Sequence, residues 1–465
     1  MPHQDSTQIS PGLFKAYDIR GRVRDALTPP VVTRIGAAIG HRAATGGPAT
    51  VVVGRDGRLS SSELACALRT GLMAAGVDVI DIGLATTPMC YFAAIHLGVG
   101  HAVMVTGSHN PPDENGLKIV LSGEALSGDA IQALAGLARD LPPPASRRGT
   151  CRDLDIAAAY QQRIVQDVRL TRPMKVMVDA GNGVAGAYGP ALYRALGCEV
   201  AALYCEVDGH FPNHHPDPSV PANLAELVGR MEAGQAEVGL AFDGDGDRLW
   251  VVARDGRIIY PDRLLMLFAD EILGRHPEGG VVIYDVKSSR HLDAWIARRG
   301  GQPLMWRTGH SVIKAKMRET GALLAGEMSG HLFFQDRWYG FDDGLYAGAR
   351  LLEILSRGTD AGEPLAALPD AVSTPELHIP LEPGEAHRVV ARLGRSARFP
   401  GAERVIDLDG LRVEYESGFG LVRASNTTPN LVLRFEADDA PGLAAIQRRM
   451  AEAIRAVFPD LPGIP

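Results

Sequence analysis

Apolar residues in this chain fall into short runs that stop at Asp, Gly or Ser. TVVVGRDGR (50–58), KVMVDAGNG (175–183) and GVVIYDVKS (280–288) each pass from an apolar stretch into Asp with Gly or Ser. Each is followed further along by a second run that ends in a polar loop: HAVMVTGSHN (101–110), EVGLAFDGDGD (237–247) and ALLAGEMSGH (322–331). Short apolar runs bounded by turn residues predict buried strands of a mainly parallel sheet. Stretches such as SSELACALRTGLMAAG (61–76) and LLEILSRG (351–358) predict helices between them. Three similar α/β units follow, each offering a loop at the carboxyl end of a strand, where such sheets bind ligands.

The remainder has a different texture. LRVEYESGFGLVRASNTTPNLVLRFEA (411–437) shows strand alternation and reads as part of a small α+β domain. LPPPASRRG (141–149) reads as a linker, and DGRIIYPDR (255–263) and GEPLAALPDAVSTPEL (362–377) as further boundaries. The expected organisation is four domains, 1–153, 154–257, 258–370 and 371–465, around a central cleft. The first three carry mixed, mainly parallel sheets.

Composition narrows the functions. A chain of 465 residues with 46% hydrophobic and 22% charged residues has the balance of a globular protein with several cores. Its net charge of -8 argues against a nucleic-acid partner, since phosphate backbones need basic surfaces. A small anionic substrate stays compatible if basic residues gather in one cleft. No apolar stretch is long enough to span a membrane, and MPHQDSTQIS lacks the apolar core of a signal peptide. The cysteines Cys66, Cys90, Cys151, Cys198 and Cys205 lack metal-like spacing and read as thiols in a reducing cytoplasm.

The loops carry the chemistry. TGSHNP (106–111) raises Ser108 beside His109 on a turn, which suits a nucleophile, though Gly, Asn and Pro serve a turn equally. DGDGDR (243–248) places three Asp at alternate positions, a spacing that converges on one hard cation and predicts a divalent site for Mg²⁺. An EF-hand would need Gly where Arg248 stands and a carboxylate where Arg254 stands. GEMSGH (326–331) offers a carboxylate, a hydroxyl and an imidazole, and by itself reads more simply as a turn. In RASNTTPN (423–430), Arg423 supplies a planar fork and Ser425, Asn426 and Thr427 complete a phosphate cradle. Tyr17 and Arg20 in FKAYDIRG, Lys118, Lys287 and His310 add candidate cleft residues. His210, His214 and His215, set among Pro and Asn, read as an ordered loop rather than a zinc site.

The ordered set TGSHNP, DGDGDR, GEMSGH and RASNTTPN, one per domain, resembles the α-D-phosphohexomutases, with further likeness in FKAYDIRG, FPNHHPDP and RWYGFDDG (337–344). The likeness runs over essentially the whole chain and is greatest to the bacterial members that act on both mannose and glucose phosphates. It implies an isomerase that moves phosphate between the 1- and 6-positions of a hexose through a 1,6-bisphosphate of glucose or mannose. It implies that Ser108 carries the transferable phosphate, with His109 shaping its site. One Mg²⁺ would be held by Asp243, Asp245, Asp247 and a phosphate oxygen on Ser108. Arg20, Lys118 and Arg248 would supply positive charge, and Lys118 or His331 the general acid or base. Glu327 and Ser329 would grip sugar hydroxyls, and Tyr17, Lys287, His310, Arg423, Ser425, Asn426 and Thr427 would bind the rest of the substrate. The resemblance carries no expectation of a nucleic-acid or membrane partner, and a monomer is favoured. A phosphoglucosamine mutase would usually show Gln at Met328, and a glucose-only enzyme a GEES-like loop. A metal-dependent phosphatase would need more metal clusters than the single one visible.

Overall fold

The computed structural model describes residues 9–47, 49–426, 428–461 and 463–464. Four sheets organise them. In the first three, the apolar runs that open each unit form a central strand with parallel neighbours on both sides. Thr50–Arg55 lies between Asp78–Leu84 and Ala102–Val105. Lys175–Asp179 lies between Glu199–Leu203 and Val238–Phe242. Val281–Asp285 lies between Gln302–Trp306 and Leu324–Gly326. The strands that lead into the first two loops lack the polar/apolar alternation of a half-exposed sheet, since Ala102–Val105 and Val238–Phe242 are buried at every position, whereas the edge strands Glu199–Leu203 and Gln302–Trp306 are largely exposed or half-buried.

After the loop that ends its second run, each unit returns antiparallel beside the strand it has just left. Ala102–Val105 pairs with Glu114–Leu121, Val238–Phe242 with Leu249–Ala253, and Leu324–Gly326 with Leu332–Phe334. Each loop is therefore the tip of a tight hairpin anchored in a sheet, which holds its side chains more firmly than a long connection would. The residues predicted as a linker, 141–149, carry no regular element, and the chain then returns to the first sheet as Cys151–Asp153.

One apolar core runs through the first three units. The helix Gly344–Leu355 sits inside it, buried along its whole length, and begins earlier than its apolar run predicts because the Asp343 side chain accepts a hydrogen bond from the Tyr346 N–H at its start. A helix covered on every side is mostly apolar, and its charged positions here are Arg350 and Glu353. Its one internal guanidinium, Arg350, meets Asp336 and Glu271.

The last unit is an antiparallel sheet, Val372–Ser373, Asn430–Ala437, Gly418–Ala424, Leu411–Tyr415 and Arg404–Ile406, with Leu377–Pro380 also on Asn430–Ala437. The helices Glu385–Ser396 and Ala440–Val457 pack with it. The alternation expected here does not appear as an exposed face: Gly418–Ala424 is buried at every position. The third unit covers the other side, where Val286 packs on Phe419 and Leu421, and Arg412 donates to the carbonyls of Val286 and Ser288. Among the described residues no helix is long and apolar enough to cross a membrane.

Candidate active site

The hairpin tips of the first three units meet the last unit at a cleft of about 570 Å³. Ser108 stands on the first tip with φ of 50°, in the left-handed region that costs an L-residue about 1–2 kcal/mol. Its N–H donates to Thr106 Oγ1 at 2.8 Å, and Thr106 Oγ1 in turn donates to Asp56 at 2.8 Å. Its hydroxyl donates to Asp243 Oδ2 at 2.7 Å and lies 3.1 Å from His109 Nδ1. The serine and aspartate loops thus touch across two units. Gly244 makes this contact sterically feasible, since a Cβ there would come within 2.3 Å of the Ser108 carbonyl oxygen.

Asp243, Asp245 and Asp247 are fully buried, with carboxylate oxygens within 4.8 Å of one another. Burial and the two neighbouring carboxylates push Asp243 well above its ordinary pKa. Oδ1 of Asp245 and Oδ1 of Asp247 are buried without a hydrogen-bond partner. Three hard oxygen donors, two with uncommitted atoms, fit a small divalent cation. Part of that charge is met by Lys118, whose ammonium donates to Asp245 at 2.7 Å and also to Asp247. Burial opposes the Lys118 charge, but the surrounding carboxylates outweigh it and raise its pKa.

Around this centre lie further cations. Arg20 donates to Asp18 at 2.6 Å and to the Asn110 side chain. Arg248 Nε donates to His331 Nε2 at 3.0 Å, where a single β-bridge between residues 248 and 331 ties the second tip to the third. On its other side His331 Nδ1 lies 3.0 Å from Asp342 Oδ2. His310 stacks on His331 with ring centroids 5.6 Å apart. Burial, and then the nearby Lys314 ammonium, push the His310 pKa far down. Burial together with Arg248 and Arg20 does the same to His109.

The third tip faces the same cleft. Glu327 accepts from the Gly309 N–H at 2.5 Å, and burial raises its pKa. Ser329 lines the cleft, with its carbonyl accepting from Trp250 Nε1 at 3.3 Å. From the last unit, Arg423 reaches in and pairs with Asp409 at 3.0 Å. Asn426 donates to the Tyr17 hydroxyl at 2.5 Å, and that hydroxyl donates to the Thr308 carbonyl at 2.8 Å. Ser425 lines the cleft and accepts from the Thr428 N–H at 3.2 Å. Lys287 lines it too, paired with Glu376 at 2.6 Å. Although burial opposes it, that pairing holds the Glu376 carboxyl down at about 2. Thr427 lies outside the described residues.

The structure therefore brings the expected residues into two groups: the serine, carboxylates, Lys118 and Arg248 at one side, and the Arg423 loop with Lys287 at another. Sequence reasoning missed Asp56, Arg58, Asp342, Glu376 and Asp409, each of which orients or balances a residue that it did name. RWYGFDDG held the signal for Asp342, as an acidic pair before an apolar helix. Nothing local flagged Asp409. His215 also had an unforeseen contact: its ring donates to the His109 carbonyl, while His214 meets Asp179 at 3.1 Å.

Comparison with known proteins places this geometry. Residues 11–141, 158–256 and 260–372 match alpha/beta/alpha domains I, II and III of phosphoglucomutase/phosphomannomutase, and residues 364–453 match its C-terminal domain. The chain is 54% identical over 448 residues to a phosphoglucomutase of Neisseria gonorrhoeae, covering 96% of this chain and 97% of the other. It is 52% identical over 453 residues to a phosphomannomutase/phosphoglucomutase of Pseudomonas aeruginosa, with 97% of each chain covered. A crystal structure of a phosphoglucomutase/phosphomannomutase family protein from Burkholderia thailandensis superposes with a TM-score of 0.92 at 54% identity, over 98% of this chain and 99% of that one. With all four domains matched in order and relatives above half identity along its length, this chain belongs to the phosphoglucomutase/phosphomannomutase family.

Proposed function

We propose that this protein reversibly moves a phosphoryl group between the 1- and 6-oxygens of glucose and mannose phosphates, with Ser108 as the carrier. The observation that carries this reading is the Ser108 hydroxyl 2.7 Å from Asp243, inside a buried carboxylate cluster and beside a cleft whose far wall holds Arg423. In the first half-reaction the bond from phosphorus to Ser108 Oγ breaks and a bond from phosphorus to a sugar hydroxyl oxygen forms. The hydroxyl proton passes to a base. The bound 1,6-bisphosphate then turns end for end, and the second half-reaction returns the other phosphoryl group to Ser108.

Phosphoryl transfer has a loose transition state, so catalysis is mainly positioning and charge neutralisation. Asp243, Asp245 and Asp247 would hold Mg²⁺, which when bound neutralises charge on the phosphoryl oxygens. Arg20, Lys118 and Arg248 stand close enough to that centre to share the work. Lys118 is committed to two carboxylates as a cation. His331 instead has Asp342 behind Nδ1, and its Nε2 meets Arg248, which lines the cleft. That leaves Lys118 as the charge donor and His331 as the base once Arg248 turns from its Nε2 to the substrate phosphate. Arg423, Ser425, Asn426 and Thr427 would take the non-reacting phosphate, and Glu327 and Ser329 the hydroxyls at carbons 3 and 4, which glucose and mannose share.

The two sugars differ only at carbon 2, so discrimination rests on about one neutral hydrogen bond, ~0.5–1.5 kcal/mol. Each 1-phosphate, supplied with catalytic 1,6-bisphosphate and Mg²⁺, should yield its 6-phosphate, with kcat/KM values within about tenfold of each other. Chelation should stop turnover and added Mg²⁺ restore it. A thousandfold preference, on the order of 4 kcal/mol, would remove the dual specificity, and conversion of neither sugar would remove the mutase reading.

A further inference from the structure

The second arginine of GRDGR (54–58) does not line the cleft and yet is built into the serine loop. Arg58 is 3% exposed. Its Nη2 donates to the carbonyls of Ser108 at 2.7 Å and Asn110 at 2.5 Å. Its Nη1 donates to those of Pro111 at 2.6 Å and Glu114 at 3.1 Å. Three carbonyls of the serine loop and that of Glu114, at the start of the returning strand, thus converge on one guanidinium. Its Nε lies 3.3 Å from Asp56, and Asp56 also accepts from the Gly107 N–H at 3.2 Å and from Thr106 Oγ1 at 2.8 Å. The guanidinium packs so closely under the loop that a Cβ on Gly107 would fall 2.5 Å from Nε. Phe211, from the second unit, closes the other side with its ring centroid 5.3 Å from the guanidinium carbon.

A buried cation needs a reason, because desolvation opposes it unless it is paired and hydrogen-bonded. Here the pairing is to the backbone that carries Ser108. Without a cation, those carbonyls would converge with nothing between them, next to a residue already held in left-handed backbone. A lysine could not replace the planar fork, since its ammonium is a point charge with three donors on a flexible stem. We propose that Arg58, backed by Asp56, is a positioning residue that fixes Ser108 in the orientation holding its Oγ against Asp243. The proposal rests on the reading of Ser108 as phosphoryl carrier and adds what aims it.

The test compares wild type with Arg58→Lys and Arg58→Met. Turnover of glucose 1-phosphate should lose about 100-fold in kcat while KM stays within about threefold, because the substrate's own contacts lie across the cleft. Millimolar guanidinium ion should restore at least about tenfold of kcat to a further variant, Arg58→Ala, an effect that lost packing alone would not give. If Arg58→Met fails to fold, Arg58→Lys keeps the buried charge and decides the matter alone. Hydrogen exchange over residues 106–111 reads the clamp without substrate and should be faster in Arg58→Lys. A folded Arg58→Lys with wild-type kcat, or with unchanged exchange over that loop, overturns the proposal. A wild type that converts no hexose phosphate overturns the carrier reading instead, and the exchange result then still reports on the clamp.

Discussion

At the scale of single residues, the site depends on how closely two loops approach. Gly244 is the sharpest case, because the missing Cβ is what admits the Ser108 carbonyl. Gly244→Ala must push the serine loop away from the carboxylates or distort the aspartate loop, and overpacking of this kind costs about 1–3 kcal/mol. The larger effect should be on activity, since a shift of about 1 Å at reacting groups can cost roughly 100-fold in rate. Melting temperature and kcat measured together check this: a modest drop in the first with a large drop in the second is expected, and a fully active variant would contradict it. The residues named from sequence were those whose chemistry is local, such as alternating Asp separated by Gly. Asp409 was not legible because its role exists only through Arg423, and although RWYGFDDG marked Asp342 as part of an acidic pair, its partner His331 could not be read from it.

At the scale of elements, the cap of the buried helix Gly344–Leu355 makes a pH dependence. Burial raises Asp343 from 3.8 to about 7, against the hydrogen bonds from the Tyr346 N–H and the Tyr160 hydroxyl that favour its charge. An acid whose folded pKa lies above its unfolded one holds its proton more tightly when folded. Its contribution to stability is therefore greatest at low pH, falls as pH rises from about 4 to about 7, and is level above. One unit of such a shift is worth about 1.4 kcal/mol. Asp343→Asn keeps a capping oxygen without the titration, so its melting temperature should fall less than wild type's between pH 5 and pH 8. Parallel profiles for the two proteins would contradict the assignment. The six apolar runs of the first three units were legible as strands because such runs and their Asp/Gly/Ser endings are local signals. The double burial of Gly418–Ala424 was not, because a neighbouring unit covers the second face and alternation reports only one.

For the whole molecule, the proposed reaction requires a bisphosphate to turn within the cleft. At the mouth, Asn426 and Thr308 meet through the Tyr17 hydroxyl, and the Thr308 N–H donates to Asp409 at 3.1 Å. These contacts bridge the mouth beside the packed face that Val286, Phe419, Leu421 and Arg412 form between the third and last units, and the connection through 362–377 is where a hinge would act. Opening should break the mouth contacts, so ligand-free protein should show a larger scattering radius, or faster hydrogen exchange at 362–377, than protein saturated with glucose 1-phosphate. Identical profiles would contradict a moving fourth unit. The central claim, that Ser108 carries the phosphoryl group, has a more direct test. Intact mass after incubation with glucose 1,6-bisphosphate and Mg²⁺ should show one added phosphate on wild type, mapped to Ser108, and none on Ser108→Ala. Turnover of the variant should be lower by several orders of magnitude, as loss of a covalent step implies. A Ser108→Ala protein that still takes up the phosphate, or still interconverts hexose phosphates at the wild-type rate, would contradict the account.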